Sequence, residues 1–265
     1  MASSILFLGT GGARFVVARQ LRASGGMWMR FGPTQIHVDP GPGALVRALS
    51  HVPPCNPREL DAIALSHKHL DHSGDVNALI EAMTSGGFRR RGALLAPADA
   101  IDREPVVLPY AARYVERIER LEPSSGPYRV GEVDVFTSLR HVHAVDTFGM
   151  HFVHGSLRVA YLPCGRYFES LAADYAARRP DVLVVNVLRF ADGMDVDHLT
   201  WHDARRLVAE IRPRLAVLGH FGTKMLEANP PKLASQLEDE LGLRVIAAYD
   251  GLELDLETAV SAVCG

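Results

Sequence analysis

The chain holds 265 residues, 48% of them hydrophobic, with a formal net charge of -3 and a pI near 6.5. That suffices for one large domain or two small ones around a substantial core, and it excludes the global basic field that a long polyanion would need. Three widely spaced cysteines (Cys55, Cys164, Cys264), no N-terminal basic and apolar leader, and no apolar run near the ~20 residues of a membrane span predict a soluble cytoplasmic protein without structural disulfides or a membrane partner.

In chain order, strands are expected at residues 4–8, 27–31 and 35–38, then a helix at 43–50 and a buried strand at 62–65. A helix from Gly74 to Met83 follows, with Val76, Leu79, Ile80 and Met83 on one face. Arg89-Arg90-Arg91 reads as a solvated loop before a strand at 93–96, and a helix is expected over 110–121. Two prolines and a glycine within residues 123–127 mark a divide between pseudo-halves 1–126 and 127–265. The second half carries strands at 133–139, 150–153 and 158–162, a helix at 166–178 and a strand at 182–187. A helix at 201–211 buries Ala204, Leu207, Val208 and Ile211, and Thr200 with Asp203 forms its capping signature. A strand at 215–218, a helix at 231–241 and strands at 244–248 and 252–256 complete the chain. Similar strand and helix order in both halves predicts one α/β domain over residues 1–265, two packed sheets with helices outside.

His67, His69, Asp71 and His72 fall within six residues, where three imidazoles and a carboxylate make most sense around a metal cation. If the segment is extended, alternation puts His67, His69 and Asp71 on one side and His72 on the other, so that one segment serves two metals. The segment follows a strand and leads into a helix, where α/β sheets place their sites. His220 also stands at a strand's carboxyl end, between Gly219 and Gly222, and is a ligand candidate. His141 and His143 end the strand at 133–139, and spacing alone does not choose between them.

With these residues the chain resembles the metallo-β-lactamase-fold hydrolases, closest to their ribonuclease Z and phosphodiesterase branch. His67 to His72 matches the HxHxDH signature, His143 to Gly149 resembles the HxVxxxG element, and Leu218-Gly219-His220-Phe221 resembles the last histidine motif. Val38-Asp39-Pro40-Gly41 matches the early aspartate motif, Ala248-Tyr249-Asp250-Gly251 resembles the closing one, and Ile5 to Gly12 resembles the branch's N-terminus. The resemblance implies an αββα sandwich with His67, His69 and His143 on one metal, and Asp71, His72 and His220 on the other. Neutral imidazoles and a carboxylate suit Zn2+, with manganese or iron as alternatives. Asp39 and Asp250 would lie behind the ligands, Asp39 fixing a ligand's tautomer or else shaping the Asp-Pro-Gly turn.

Two departures matter. Where the family carries a metal-bridging aspartate, Leu162-Pro163-Cys164-Gly165 places Cys164, which either ligates the second metal as a thiolate or is a small buried residue. The ribonuclease Z element expected after the strand at 182–187 is Asn186-Val187-Leu188-Arg189, and the span from His143 to Cys164 leaves no room for a tRNA-gripping arm. Folded tRNA is therefore not the expected substrate. His198-Leu199-Thr200 resembles the HxT element of the branch's phosphodiesterases, making His198 a candidate general acid or else a plain loop residue. Asp71 and His198 are thus the catalytic candidates, and Arg166 and Arg189 either help bind a phosphate or stay at the surface. The expected activity is metal-dependent hydrolysis of a small or nucleotide-like phosphodiester by metal-activated water. Hydrolysis of an amide, lactone or thioester and di-iron oxidoreductase chemistry are the alternatives, and a homodimer is compatible with either.

Overall fold

Alternation along the strands sets the layering. In β2 (Met27–Phe31), Met27, Met29 and Phe31 enter the core between two sheets, whereas Trp28 faces the helices outside. The computed structural model describes residues 3–191 and 196–261, so Cys264 lies outside the described residues.

The first sheet runs β14 (Glu253–Asp255), β1 (Ser4–Phe7), β2, β3 (Thr34–Val38), β4 (Ala62–Ala64), β5 (Ala93–Pro97), β6 (Arg117–Leu121). The second runs β13 (Arg244–Ala247), β12 (Leu215–Gly219), β11 (Val182–Asn186), β10 (Leu157–Leu162), β9 (Phe148–His154), β8 (Val133–Arg140), β7 (Tyr128–Val130). In each sheet one side is antiparallel, and the other, from β3 to β6 and from β10 to β13, is parallel. The helices are α1 (Ala13–Ala18), α2 (Ala44–Ser50), α3 (Leu70–Ser73), α4 (Val76–Thr84), α5 (Ala98–Ile101), α6 (Pro109–Ala112), α7 (Leu171–Ala176), α8 (Trp201–Ile211), α9 (Thr223–Glu227), α10 (Pro230–Leu241) and α11 (Leu256–Ser261).

Three buried clusters make the sandwich. One fills the space between the sheets, one lies between the first sheet and α2, α4 and α6, and one between the second sheet and α7, α8 and α10. In α8 the stripe Ala204, Leu207, Val208 and Ile211 is buried, and Thr200 and Asp203 form the reciprocal capping box. This is the αββα architecture of two mixed sheets with helices outside.

Several elements differ from expectation. The helix expected over 110–121 is only α6, because residues 117–121 pair in parallel with β5 as edge strand β6. The spacing of Val115, Ile118 and Leu121 imitates a helix, but backbone pairing at the sheet edge outweighs it, and Arg117 and Glu119 keep that edge charged. The helix at 166–178 contracts to α7, and residues 252–256 split into β14 and the start of α11. The divide at 123–127 is where the chain passes between sheets, held to β8 by Ser124 N–H to Ser138 O at 2.8 Å and Thr137 N–H to Ser125 O at 3.0 Å.

Candidate metal centre

The parallel strands, together with β8, end on one rim of the sandwich, which gathers the polar residues that follow them. Beyond β4 come Ser66, His67 and His69; beyond β3, Asp39; beyond β8, His143; beyond β10, Cys164; beyond β12, His220. The extended reading of the histidine motif holds only to His69. From Leu70 the chain turns into α3, with His72 N–H bonded to His69 O at 2.9 Å, which swings Asp71 away from His67 and His69. The structure therefore groups Asp71 with His72 and His220, and His67 with His69 and His143, the ligand-type atoms of each group lying within 4.8 Å of one another. Cys164 falls between them, within that distance of His67 and His72 in one direction and of His198 and His220 in another.

Close packing fixes the frame. A Cβ on Gly12 would lie 2.4 Å from His220 O and 2.6 Å from its ring, and a Cβ on Gly41 would lie 2.0 Å from Asp71 O. Asp39 and His220 both hold left-handed backbone, at φ 52° and 58°. Such strain persists where surrounding contacts enforce it, commonly at functional sites.

Hydrogen bonds assign the ring nitrogens. Asp39 is 3% exposed and accepts from Ser66 N–H and Ser66 Oγ at 2.6 Å each, from His72 Nδ1 at 2.8 Å and from Tyr161 Oη at 2.8 Å. Since Ser66 Oγ gives its proton to Asp39, it accepts from His67 Nδ1 at 2.9 Å. One carboxylate thus aims Nε2 of both His67 and His72 inward, where each presents a lone pair once its ring is neutral. His67 Nε2 is buried without a hydrogen-bond partner. His143 Nδ1 donates to Asp197 O at 2.9 Å, so its Nε2 lone pair faces His69 Nδ1 at 3.1 Å. Asp71 Oδ2 lies 3.6 Å from both His72 Nε2 and His220 Nε2 and accepts from Ala13 N–H at 3.1 Å. Lone pairs converging on a buried space, with an orphaned imidazole nitrogen among them, fit a cation.

The electrostatics agree. Burial pushes His67, His69 and His220 below the usual histidine range and His143 down to about 4, so these imidazoles are neutral, as ligands must be. His72 is the exception: burial opposes its charge, but the carboxylates of Asp71 and Asp39 raise its pKa well above the ordinary value. Burial would raise Asp71, yet His72, His220 and the Ala13 N–H hold it at about 2. Without metal, the centre therefore keeps one proton where a cation would sit.

His141 stands apart from the cluster, bonded to Cys164 O and Tyr175 Oη at 3.1 Å each, while His143 joins it. His198 packs edge-on against His143, with ring centroids 5.2 Å apart, and its Nδ1 has no partner among the described residues. Burial, reinforced by His143, lowers its pKa to about 3. Asp250 does not bond a candidate ligand. It accepts from Thr10 N–H at 2.9 Å, Thr10 Oγ1 at 2.8 Å and Ala23 N–H at 2.8 Å, bracing the loop whose Thr10 O receives Phe221 N–H beside His220. Arg166 Nε pairs with Asp197, and Arg189 shares backbone bonds with Leu199 and Trp201 that set the approach to His198. Sequence reading missed Ser66, Tyr161 and Asn186; only their places at strand ends hinted at a role.

A family model described as a beta-lactamase superfamily domain matches residues 34–221. The uncharacterised protein MJ1374 of Methanocaldococcus jannaschii is 30% identical over 266 residues, covering 97% of this chain and 96% of that one. YhfI of Bacillus subtilis, named a probable metallo-hydrolase, is 26% identical over 210 residues, 76% of this chain and 82% of its own. The crystal structure of YhfI, a metallo-β-lactamase fold protein, matches with a TM-score of 0.77 at 21% identity, over 96% of this chain and 99% of that one. A diphosphatase of the PhnP family matches with a TM-score of 0.66 at 20% identity, over 96% and 97% of the two chains. The matched stretch spans every candidate ligand from His67 to His220, and the chain belongs to the beta-lactamase superfamily, with the metallo-β-lactamase fold.

Proposed function

We propose that this protein is a phosphodiesterase with a two-metal centre, His67, His69 and His143 holding one cation and Asp71, His72, His220 and Cys164 the other. The observation that carries the reading is the pair of ligand sets meeting around Cys164, with the imidazole lone pairs of His67 and His72 both aimed inward by Asp39. Zinc suits this mixture of imidazole, carboxylate and thiol. When bound, the cations supply an activated water nucleophile at neutral pH and stabilise charge on the phosphoryl oxygens.

The protein's own groups do the rest. Asp39 fixes the tautomers, and Asp71 adds negative charge to the second position. His198 stands beside His143 at the open side, where a leaving alkoxide would need a proton. Burial keeps its imidazole neutral at rest, so it would accept the proton that the attacking water releases and pass it to the leaving alkoxide, the negative charge of the bound ester favouring the protonated ring. The HxT-like placement of His198 before α8 and the likeness to a PhnP-family diphosphatase support a phosphoester substrate. The stretch from His143 to Cys164 is taken up chiefly by β9, β10 and their turn, which favours a small or nucleotide-like ester over folded tRNA.

Cys164 favours a second reading, hydrolysis of a lactam, lactone or thioester. A panel of chromogenic phosphodiester, lactam and thioester substrates separates the two. The proposal expects phosphodiester turnover to be fastest, to vanish in His69→Ala and to fall by about 10²–10⁴-fold in His198→Ala. Preference for a lactam or thioester, or phosphodiester turnover untouched by both substitutions, would overturn it.

A further inference from the structure

Around the second ligand set the polar groups close into a ring. His72 Nδ1 and Tyr161 Oη each donate to Asp39 Oδ2 at 2.8 Å. Asn186 Nδ2 donates to Tyr161 Oη at 3.0 Å and to Cys164 Sγ at 3.7 Å, and Cys164 Sγ stands 3.5 Å from His72 Nε2. Every member is buried.

The direction of each bond follows from its neighbours. Tyr161 spends its proton on Asp39, so its oxygen can only accept from Asn186. Turning the amide over would set a carbonyl oxygen against that oxygen and against the sulfur, leaving acceptors facing acceptors. The amide therefore offers both of its N–H groups inward, one to the phenol and one to Cys164. On its other side the sulfur meets His72 Nε2 at 3.5 Å and His220 Nε2 at 3.3 Å. Because Nδ1 donates to Asp39, His72 directs Nε2 at the sulfur and would present a lone pair there once a cation displaces its second proton.

We propose that Asn186 and Tyr161 are positioning residues that make Cys164 a ligand of the second metal. This rests on the reading that Cys164 ligates that metal. The Asn186 N–H occupies one sulfur lone pair and turns the others toward His72 and His220, while Tyr161 pins the amide and ties it to the carboxylate that orients His72. Cys164 and His72 are thus oriented by one connected network. Such supporting bonds alter metal affinity by about 10- to 100-fold. A thiolate held this way selects zinc over manganese, since the softer ligand suits the softer ion.

The test uses the full chain loaded with cobalt(II), whose bond to a thiolate gives a near-ultraviolet charge-transfer band independent of turnover. Wild type shows the band and Cys164→Ser loses it. Asn186→Leu, close in volume but without donors, shifts the band and weakens binding of the second cobalt about 10- to 100-fold. Tyr161→Phe keeps the core filled and gives a smaller shift in the same direction; it carries the test if Asn186→Leu does not fold. An unchanged band and unchanged second-site affinity in a folded Asn186→Leu, or in Tyr161→Phe where that variant carries the test, would overturn the proposal. Absence of the band in wild type would also overturn it, while leaving phosphodiester turnover to be judged by the substrate panel.

Discussion

Replacing Asp39 with asparagine changes one atom and strikes both ligand sets. Asp39 accepts four hydrogen bonds, three at Oδ2 from Ser66 Oγ, His72 and Tyr161 and one at Oδ1 from Ser66 N–H. The cheaper amide orientation puts nitrogen at Oδ1, where it meets the Ser66 N–H and leaves a buried donor unsatisfied, at about 1–3 kcal/mol. The other three bonds lose their charge assistance, on the order of 1 kcal/mol each. Removing a buried charge recovers part of this, so the net loss is about 3–5 kcal/mol, the scale of breaking a buried ion pair. Urea unfolding of the metal-free proteins measures that loss, and competition with a chromophoric chelator measures zinc affinity, expected to fall about 10- to 100-fold. Asp250→Asn is the comparison: its partners are Thr10, Ala23 and, at 3.9 Å, Arg47, so it costs stability while leaving zinc affinity nearly intact. A loss under about 1 kcal/mol with unchanged zinc affinity in Asp39→Asn would refute the reasoning, since the scale of a broken buried pair demands more.

Four further outcomes are expected. Acid should destabilise the metal-free protein: His37 and His141 are buried with pKa values lowered from 6.5 to about 4, so the stability they contribute is present above pH 6.5 and lost as pH falls toward 4. The loss is roughly 3 kcal/mol for each, visible as a falling urea midpoint. His72 runs the other way, its raised pKa giving stability that is complete below pH 6.5 and lost as pH rises through the folded value; because zinc must displace that proton, zinc affinity should climb with pH in calorimetric titrations. Chelation should lower Tm, and free zinc at a hundredfold its dissociation constant should restore about 2.7 kcal/mol. Thr200→Ala removes the α8 cap beside His198, costing about 1 kcal/mol in unfolding assays and reducing kcat more than KM.

The chain announced its site through residues that act locally. His67 to His72 and His220 are recognisable because each follows a short apolar strand, and that placement needs no knowledge of the partner sheet. Asp71 was harder: alternation alone set it beside His67 and His69, whereas the family resemblance set it with His72 and His220, the grouping that α3, beginning at Leu70, produces by turning the side chain. Tyr161 and Asn186 looked like ordinary strand residues, since their role exists only once β10 and β11 are paired and Asp39 arrives from the other sheet. The same holds for β6, whose strand state is imposed by β5 and not by its own periodicity. Asp250, similar to a motif aspartate, serves the Thr10 loop, a role that depends on long-range closure of the chain ends.

The central claim is that hydrolysis runs on two metals held by these residues. The most direct measurement adds zinc stepwise to metal-depleted protein while recording phosphodiester turnover against bound metal per chain. The account predicts no turnover without metal and saturation at two ions per chain in wild type. Full turnover in stringently metal-free protein, or saturation before the His72, His220 and Asp71 set is filled, would contradict it.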